Sequence, residues 1–283
     1  MNEIVDLYGH FGTERAGAAG GTLLCLVPQD LKLLSWRRRR PAVLILPGGG
    51  YHHTSPREAE PVALRFAAAG YGAFVLHYSC APSRYPTALR EAAMAMRYIR
   101  ENADIFGIER NMVAALGFSA GGHLCGCLGT LYDSAEVADL GEPQLLRPDV
   151  LCLCYPVTVS WGRTHEGSFL NLCGGDGTLR QRLSMEKLVR PDMPPVFLWH
   201  TRSDASVPCV GSLVLARALE EAGVDFAMHI YRRGVHGLAV GGIESNGPDA
   251  LADVSADVSQ WLDACLGFFA EKGLRIQDER KLL

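Results

Sequence analysis

Val113-Ala-Ala-Leu-Gly-Phe-Ser-Ala-Gly-Gly-His123 is the stretch on which the reading of this chain turns. It opens as an apolar run too short for a typical helix and breaks at Gly117-Phe118-Ser119-Ala120-Gly121. It then resumes with Leu124, Leu128 and Leu131 at helical spacing. Strand, sharp turn and helix follow one another, with a serine at the tip, in the pattern of a Gly-x-Ser-x-Gly nucleophile elbow. Such a turn strains the serine backbone, so small neighbours are needed on both sides, and Gly117 and Gly121 supply them. The following helix points its N-terminus at the hydroxyl, where partial positive charge favours negative charge that develops in a reaction. In a chain with 31 glycines the motif carries little weight alone, so the surroundings decide.

Upstream, Pro41-Ala-Val-Leu-Ile-Leu46 is continuous, apolar and partly β-branched, which reads as a buried parallel strand. It runs into Pro47-Gly48-Gly49-Gly50-Tyr51, where three glycines let backbone N–H groups approach a ligand with no Cβ in the way. A phosphate loop would need G-x-x-x-x-G-K-[ST] or G-x-G-x-x-G, and neither follows. An oxyanion-hole loop of the His-Gly-Gly-Gly type fits better, with Pro47 in the place of the histidine. The candidate oxyanion donors are the N–H groups of Gly49, Gly50 and Ala120, the last being the residue after the nucleophile. Tyr51, His52 and His53 are candidates for lining a substrate pocket.

Further apolar runs at 22–27, 72–77, 150–154, 195–200 and 226–231 read as strands. Helical patterns lie between them: one over 58–69 closed by Gly70, one opened by Pro86, one begun at Pro208, and a last face formed by Val254, Val258, Trp261, Leu262, Cys265 and Phe269. This alternation predicts an α/β fold with a mostly parallel central sheet covered by helices on both faces. We read residues 1–283 as a single domain. Periodicity fades over 155–194, which reads as loops and short helices over the C-terminal edge of the sheet that shape a pocket. Arg37 to Arg40 read as a solvated loop, and the charged segment 273–283 as a mobile tail.

Ser119, Asp204 and His236 each fall just past the C-terminal end of a predicted parallel strand, the edge where distant side chains converge in open α/β sheets. A serine hydroxyl is weakly nucleophilic until an imidazole takes its proton. The imidazole in turn needs a carboxylate on its other nitrogen. Asp192 and Asp225 are alternatives to Asp204, but neither directly follows an apolar strand. Among the other histidines, His77, His200 and His229 sit within or at the ends of strands, and His123 on the helix behind the elbow, where packing is the better reading.

Composition excludes other classes. Twenty-seven basic against 31 acidic side chains give a net charge of −4, with no reason to expect nucleic acid or an anionic membrane as partner. No window approaches the apolar length of a membrane span, and the N-terminus has no export signal, so a cytoplasmic protein is expected. Nine cysteines, mostly inside apolar runs and with no C-x-x-C, read as reduced core residues rather than metal ligands.

Taken together, Pro47-Gly-Gly-Gly-Tyr51, Gly117-Phe-Ser-Ala-Gly-Gly-His123, Tyr155-Pro156, His200-Thr-x-x-Asp204 with Val207-Pro208, and Gly234-x-His236-Gly237 resemble the acetyl esterase and acetylxylan-esterase-like branch of the α/β-hydrolase superfamily. The resemblance runs from about Pro41 to Trp261. It implies hydrolysis of short acyl esters, with acetylated saccharides among the substrates, through an acyl-enzyme and without metal or organic cofactor. It implies a small-molecule ester as partner and leaves a homo-oligomer open. Pro47 departs from the lipase-like branch and makes lipid-type substrates less expected. Two rival readings stay open: a serine peptidase of the prolyl-oligopeptidase type, and a non-catalytic small-molecule receptor on the same scaffold.

Overall fold

The computed structural model describes residues 2–15, 17, 19–29, 38–252 and 254–278. Eight strands, β1 (Asn2–Asp6), β2 (Thr22–Leu26), β3 (Arg38–Leu46), β4 (Gly72–His77), β5 (Ile108–Phe118), β6 (Val150–Cys154), β7 (Val196–Thr201) and β8 (Phe226–Tyr231), form one sheet in the order β1-β2-β4-β3-β5-β6-β7-β8. From β4 to β8 every pairing is parallel. The two N-terminal strands join antiparallel at the β4 edge. The chain is therefore an α/β protein with a mostly parallel sheet.

Both faces of that sheet are dry, which is why its strands read as unbroken apolar runs rather than alternating ones. Successive residues of β3 feed opposite cores. Leu44 and Leu46 pack with the helices Thr87–Glu101 and Ala120–Leu131 on one side. Val43 and Ile45 pack with Phe66, Trp261 and Phe269 on the other. The N-terminal strands, the least legible part of the sequence, are tied in by Glu91. Its buried carboxylate accepts from the Tyr8 hydroxyl at 2.9 Å and from the Ser79 N–H and hydroxyl at 2.5 Å each.

Three expectations need correction. Arg38, Arg39 and Arg40 do not lie in a solvated loop but open β3; Arg40 is buried and Arg39 pairs with Asp104 at 2.8 Å. The reason is that β3 starts before its apolar run, where it is still paired on both sides; Arg37 lies outside the described residues. The segment from Gly273 is not a free tail up to Asp278. Leu274 is buried, and a ninth strand, β9 (Gln277–Asp278), pairs antiparallel with Arg38 and Arg39; residues 279–283 lie outside the described residues. The final helix is Trp261–Glu271, preceded by a separate turn of 3₁₀ helix at Val258–Gln260, so Val254 is not part of it.

Over 155–194 three short helices, Glu166–Cys173, Gly177–Arg182 and Met185–Leu188, take the place of regular α/β structure. Among the described residues no helix is long and apolar enough to cross a membrane.

Candidate active site

Ser119 stands at the junction of β5 and the helix Ala120–Leu131 with φ 54° and ψ −118°, a strained conformation for a residue with a side chain. Close approach of the backbone explains the glycines. A Cβ on Gly117 would lie 2.1 Å from the Gly121 carbonyl oxygen, and one on Gly121 would lie 2.1 Å from the Leu46 carbonyl oxygen. The turn is held by neighbours as well: Ser119 N–H donates to the Cys154 carbonyl and Val157 N–H to the Ser119 carbonyl, both at 3.0 Å.

His236 Nε2 lies 2.8 Å from Ser119 Oγ, and His236 Nδ1 lies 2.6 Å from Asp204 Oδ2. The second carboxylate oxygen accepts from the N–H groups of Ser206 and Val207 at 2.9 Å each. The loops that bring the acid and the histidine are stitched together, since Gly234 N–H donates to Ser203 Oγ at 2.9 Å and Thr201 Oγ1 donates to the Gly234 carbonyl at 3.0 Å. The Asp204 side chain is fully buried while that of His236 is 21% exposed, so one end of the line faces a cavity and the other the interior. Burial alone would raise the Asp204 carboxyl; hydrogen bonding from His200 and His236, the charge of His236 and the Val207 N–H outweigh it and hold the group well below the usual carboxylate range.

The alternatives to Asp204 are engaged elsewhere. Asp192 is bound by Arg190 at 2.5 Å and by the Tyr132 hydroxyl at 2.9 Å, and Asp225 pairs with Lys272.

A cavity of about 370 Å³ opens over Ser119 and His236. Gly49 and Gly50 border it, and among the described residues their N–H groups have no protein acceptor. Ala120, fully buried, is the first residue of its helix, where no turn precedes it to accept its N–H. His52 and His53 line the cavity. Tyr51 does not. At φ 56° its ring turns inward, where it is buried, and its hydroxyl donates to His123 Nδ1 at 2.8 Å. The pocket role expected for Tyr51 is therefore corrected: it props the helix behind the elbow.

Several residues escaped the sequence reading. Glu58 is buried beside the glycine loop; it accepts from Gly48 N–H at 2.8 Å and from the Tyr155 hydroxyl at 2.7 Å. Tyr155 in turn accepts from Ala239 N–H at 2.9 Å, three residues beyond His236. His200 donates from Nε2 to the Val207 carbonyl at 2.9 Å and lies 3.4 Å from Asp204, beneath the acid. His165 and Asn171, from the 155–194 excursion, border the cavity, as do Arg57 and Ser206. An acid just beyond the glycine loop was the one available signal for Glu58; His165 and Asn171 belong to the non-periodic segment 155–194, whereas His200, at the end of β7, and Arg57 and Ser206 lie outside it and reach the site only through the fold.

Comparison with known proteins gives concordant relatives. A family model described as BD-FAE matches residues 33–145. The chain is 36% identical over 213 residues to an endo-1,4-beta-xylanase B of Butyrivibrio fibrisolvens, covering 71% of this chain and 33% of that protein. It is 28% identical over 208 residues to an acetylxylan esterase of Xylanibacter ruminicola, covering 71% of this chain and 41% of that one. The chain thus spans well under half the length of these two curated relatives. Among solved structures, an acetyl ester-xyloside bifunctional hydrolase from Caldicellulosiruptor lactoaceticus is similar over 96% of this chain and 97% of its own, at 34% identity and a TM-score of 0.82.

Proposed function

The chain belongs to the esterase branch of the α/β-hydrolase superfamily, and from that premise we propose that it is a serine carboxylesterase acting on short-chain acyl esters, acetyl esters of saccharides foremost. Ser119 Oγ attacks the ester carbonyl while His236 takes its proton. The same imidazolium then protonates the leaving alkoxide, and the neutral ring activates water against the acyl-enzyme. Asp204, kept ionised by its hydrogen bonds, fixes the ring so that Nε2 faces the serine and stabilises the imidazolium. The N–H groups of Gly49, Gly50 and Ala120 hold the oxyanion, and loss of one such donor removes about 3–4 kcal/mol of transition-state stabilisation.

The observation that carries this reading is the continuous line Ser119–His236–Asp204, at 2.8 and 2.6 Å, beside two glycine amides that have no acceptor among the described residues. The choice of a short acyl group and a sugar alcohol is supported by the cavity, whose lining residues are glycines or carry polar side chains. The acetyl ester-xyloside hydrolase similar to this chain points the same way.

Two measurements test it together. The protein should release p-nitrophenol from p-nitrophenyl acetate, and a fluorophosphonate should add one adduct mass to the intact chain. Ser119→Ala should abolish both, with a loss of roughly 10⁴-fold or more in kcat. Equal turnover by the two proteins, or labelling that survives the substitution, would refute the assignment.

A further inference from the structure

The helix Glu166–Cys173 bears on the catalytic cavity through both of its ends. At its N-cap, His165 lines the cavity beside Gly50; the ring Cε1 stands 3.4 Å from where a Cβ on Gly50 would be. Further along, Asn171 Nδ2 donates to the Gly50 carbonyl at 2.9 Å, so the helix is fastened to the glycine loop.

The hydrogen bonds of His165 fix its tautomer. Ser168 N–H, which can only donate, points at Nδ1 from 3.3 Å, and the buried Ser168 hydroxyl lies 2.8 Å from the same atom. Nδ1 is therefore an acceptor, and the ring proton sits on Nε2. Among the described residues Nε2 has no protein partner. Burial, and next the charge of His236, lower the pKa of His165, with Asp204 opposing, which favours the neutral ring as a single donor.

A preset N–H beside the acyl-transfer centre, half withdrawn from water and without a protein acceptor among the described residues, is free to exchange water for an oxygen of the substrate when the substrate fills the cavity. An acetyl group is too small to need the remaining polar wall. Building on the esterase reading above, we infer that His165 is a specificity-determining residue that donates from Nε2 to a hydroxyl oxygen on the alcohol part of the ester, so the site selects acetyl esters of polyhydroxylated alcohols over hydroxyl-free ones.

The test compares three substrates on the full-length protein: a monoacetylated methyl pyranoside, cyclohexyl acetate, which keeps the ring but has no hydroxyl, and p-nitrophenyl acetate. His165→Phe removes the donor and the helix cap. His165→Asn keeps a good N-cap but is too short to reach the cavity. Both variants should lose about threefold to tenfold in kcat/KM on the pyranoside, the effect of one neutral hydrogen bond, and stay within twofold of wild type on the other two. Recovery by His165→Asn would reduce the residue to a helix cap. An equal loss on all three substrates would make it part of the oxyanion machinery. Either result overturns the inference, as does an unchanged pyranoside rate. A wild type that turns over none of the three would sink the esterase reading itself.

Discussion

Glu58 joins parts of the site that come from distant stretches of sequence. Through its two oxygens and the Tyr155 hydroxyl it connects Gly48, ahead of the proposed oxyanion donors, to Ala239, just past His236. Tyr155 at φ 35° and Ala239 at φ 50° both hold left-handed backbone, a cost of order 1–3 kcal/mol each that persists only where the surroundings over-determine it. Glu58→Gln is nearly isosteric but presents an N–H where the Tyr155 hydroxyl now donates. Losing that charge-assisted bond is worth about 1.5–3 kcal/mol. We expect kcat on p-nitrophenyl acetate to fall roughly tenfold or more with KM little changed; a kcat within twofold of wild type would show that the loops hold without it. His123 gives a pH prediction. Tyr51 donates to its Nδ1 and Nε2 donates to the Leu183 carbonyl, so the buried ring is neutral, and burial lowers its pKa from the ordinary 6.5 to about 4. A folded pKa below the unfolded one means a contribution to stability that is complete above pH 6.5 and drains away as pH falls toward 4. The expected loss is about 2 kcal/mol at pH 5 and about 3 kcal/mol below pH 4. Urea unfolding at pH 7 and pH 5 measures it, and His123→Gln should flatten the difference. The sequence offered only the packing of His123 behind the elbow, which its burial bears out; the partners of Glu58 and His123 were not legible, because a polar residue that works from inside the core leaves no periodic trace in sequence.

Elements were far easier to read, and the physical reason is burial. The strands β3 to β7 are covered on both faces, so each announces itself as an apolar run, and the turn after β5 carries glycines that steric contact requires. Where a strand is an edge or only half covered, the trace weakens. In β1 (Asn2–Asp6) no residue is buried, and it went unread; Arg38 to Arg40 pair in β3 on backbone bonds while their side chains spell loop. The Ser119–Asp204–His236 line was approachable from sequence because each member follows a readable strand, whereas His165 hangs from a helix of eight residues in a stretch without periodicity. The same steric reasoning gives a prediction for the elbow. An added methyl at Gly121 would meet the Leu46 and Pro47 carbonyl oxygens at 2.1 and 2.4 Å, and both are backbone atoms that cannot swing aside. Gly121→Ala must therefore push β3 and the helix Ala120–Leu131 apart. It should cost more than about 3 kcal/mol of stability, at the upper end for overpacking, and abolish turnover. A soluble Gly121→Ala protein with wild-type melting and activity would mean that the packing between β3 and the elbow is looser than described.

Across the whole molecule, the parallel sheet sets what happens at one end apart from what happens at the other. The candidate catalytic residues all lie past the C-terminal ends of the strands, while β9 joins β3 at Arg38 and Arg39, the N-terminal end. Seven residue steps along the parallel strand lead from Arg39 to Leu46, a distance of about 23 Å. The C-terminal segment should therefore govern stability without touching chemistry. Leu274 is 2% exposed, and its carbonyl accepts from the Tyr71 hydroxyl at 2.8 Å, over a cluster that includes Phe66 and Phe269. Burying a leucine is worth about 1.5–3 kcal/mol and the hydrogen bond about 1 kcal/mol. A variant ending at Gly273 should thus lose about 3–4 kcal/mol, and with it roughly 5–15 °C of Tm for a chain of this size. Tyr71→Phe, which removes only the hydrogen bond, should lose about 1 kcal/mol. At 25 °C both variants should keep kcat/KM on p-nitrophenyl acetate within twofold of wild type. If the truncated protein stays folded by circular dichroism yet loses turnover, the two edges of the sheet are coupled, and the separation of stability from chemistry argued here does not hold.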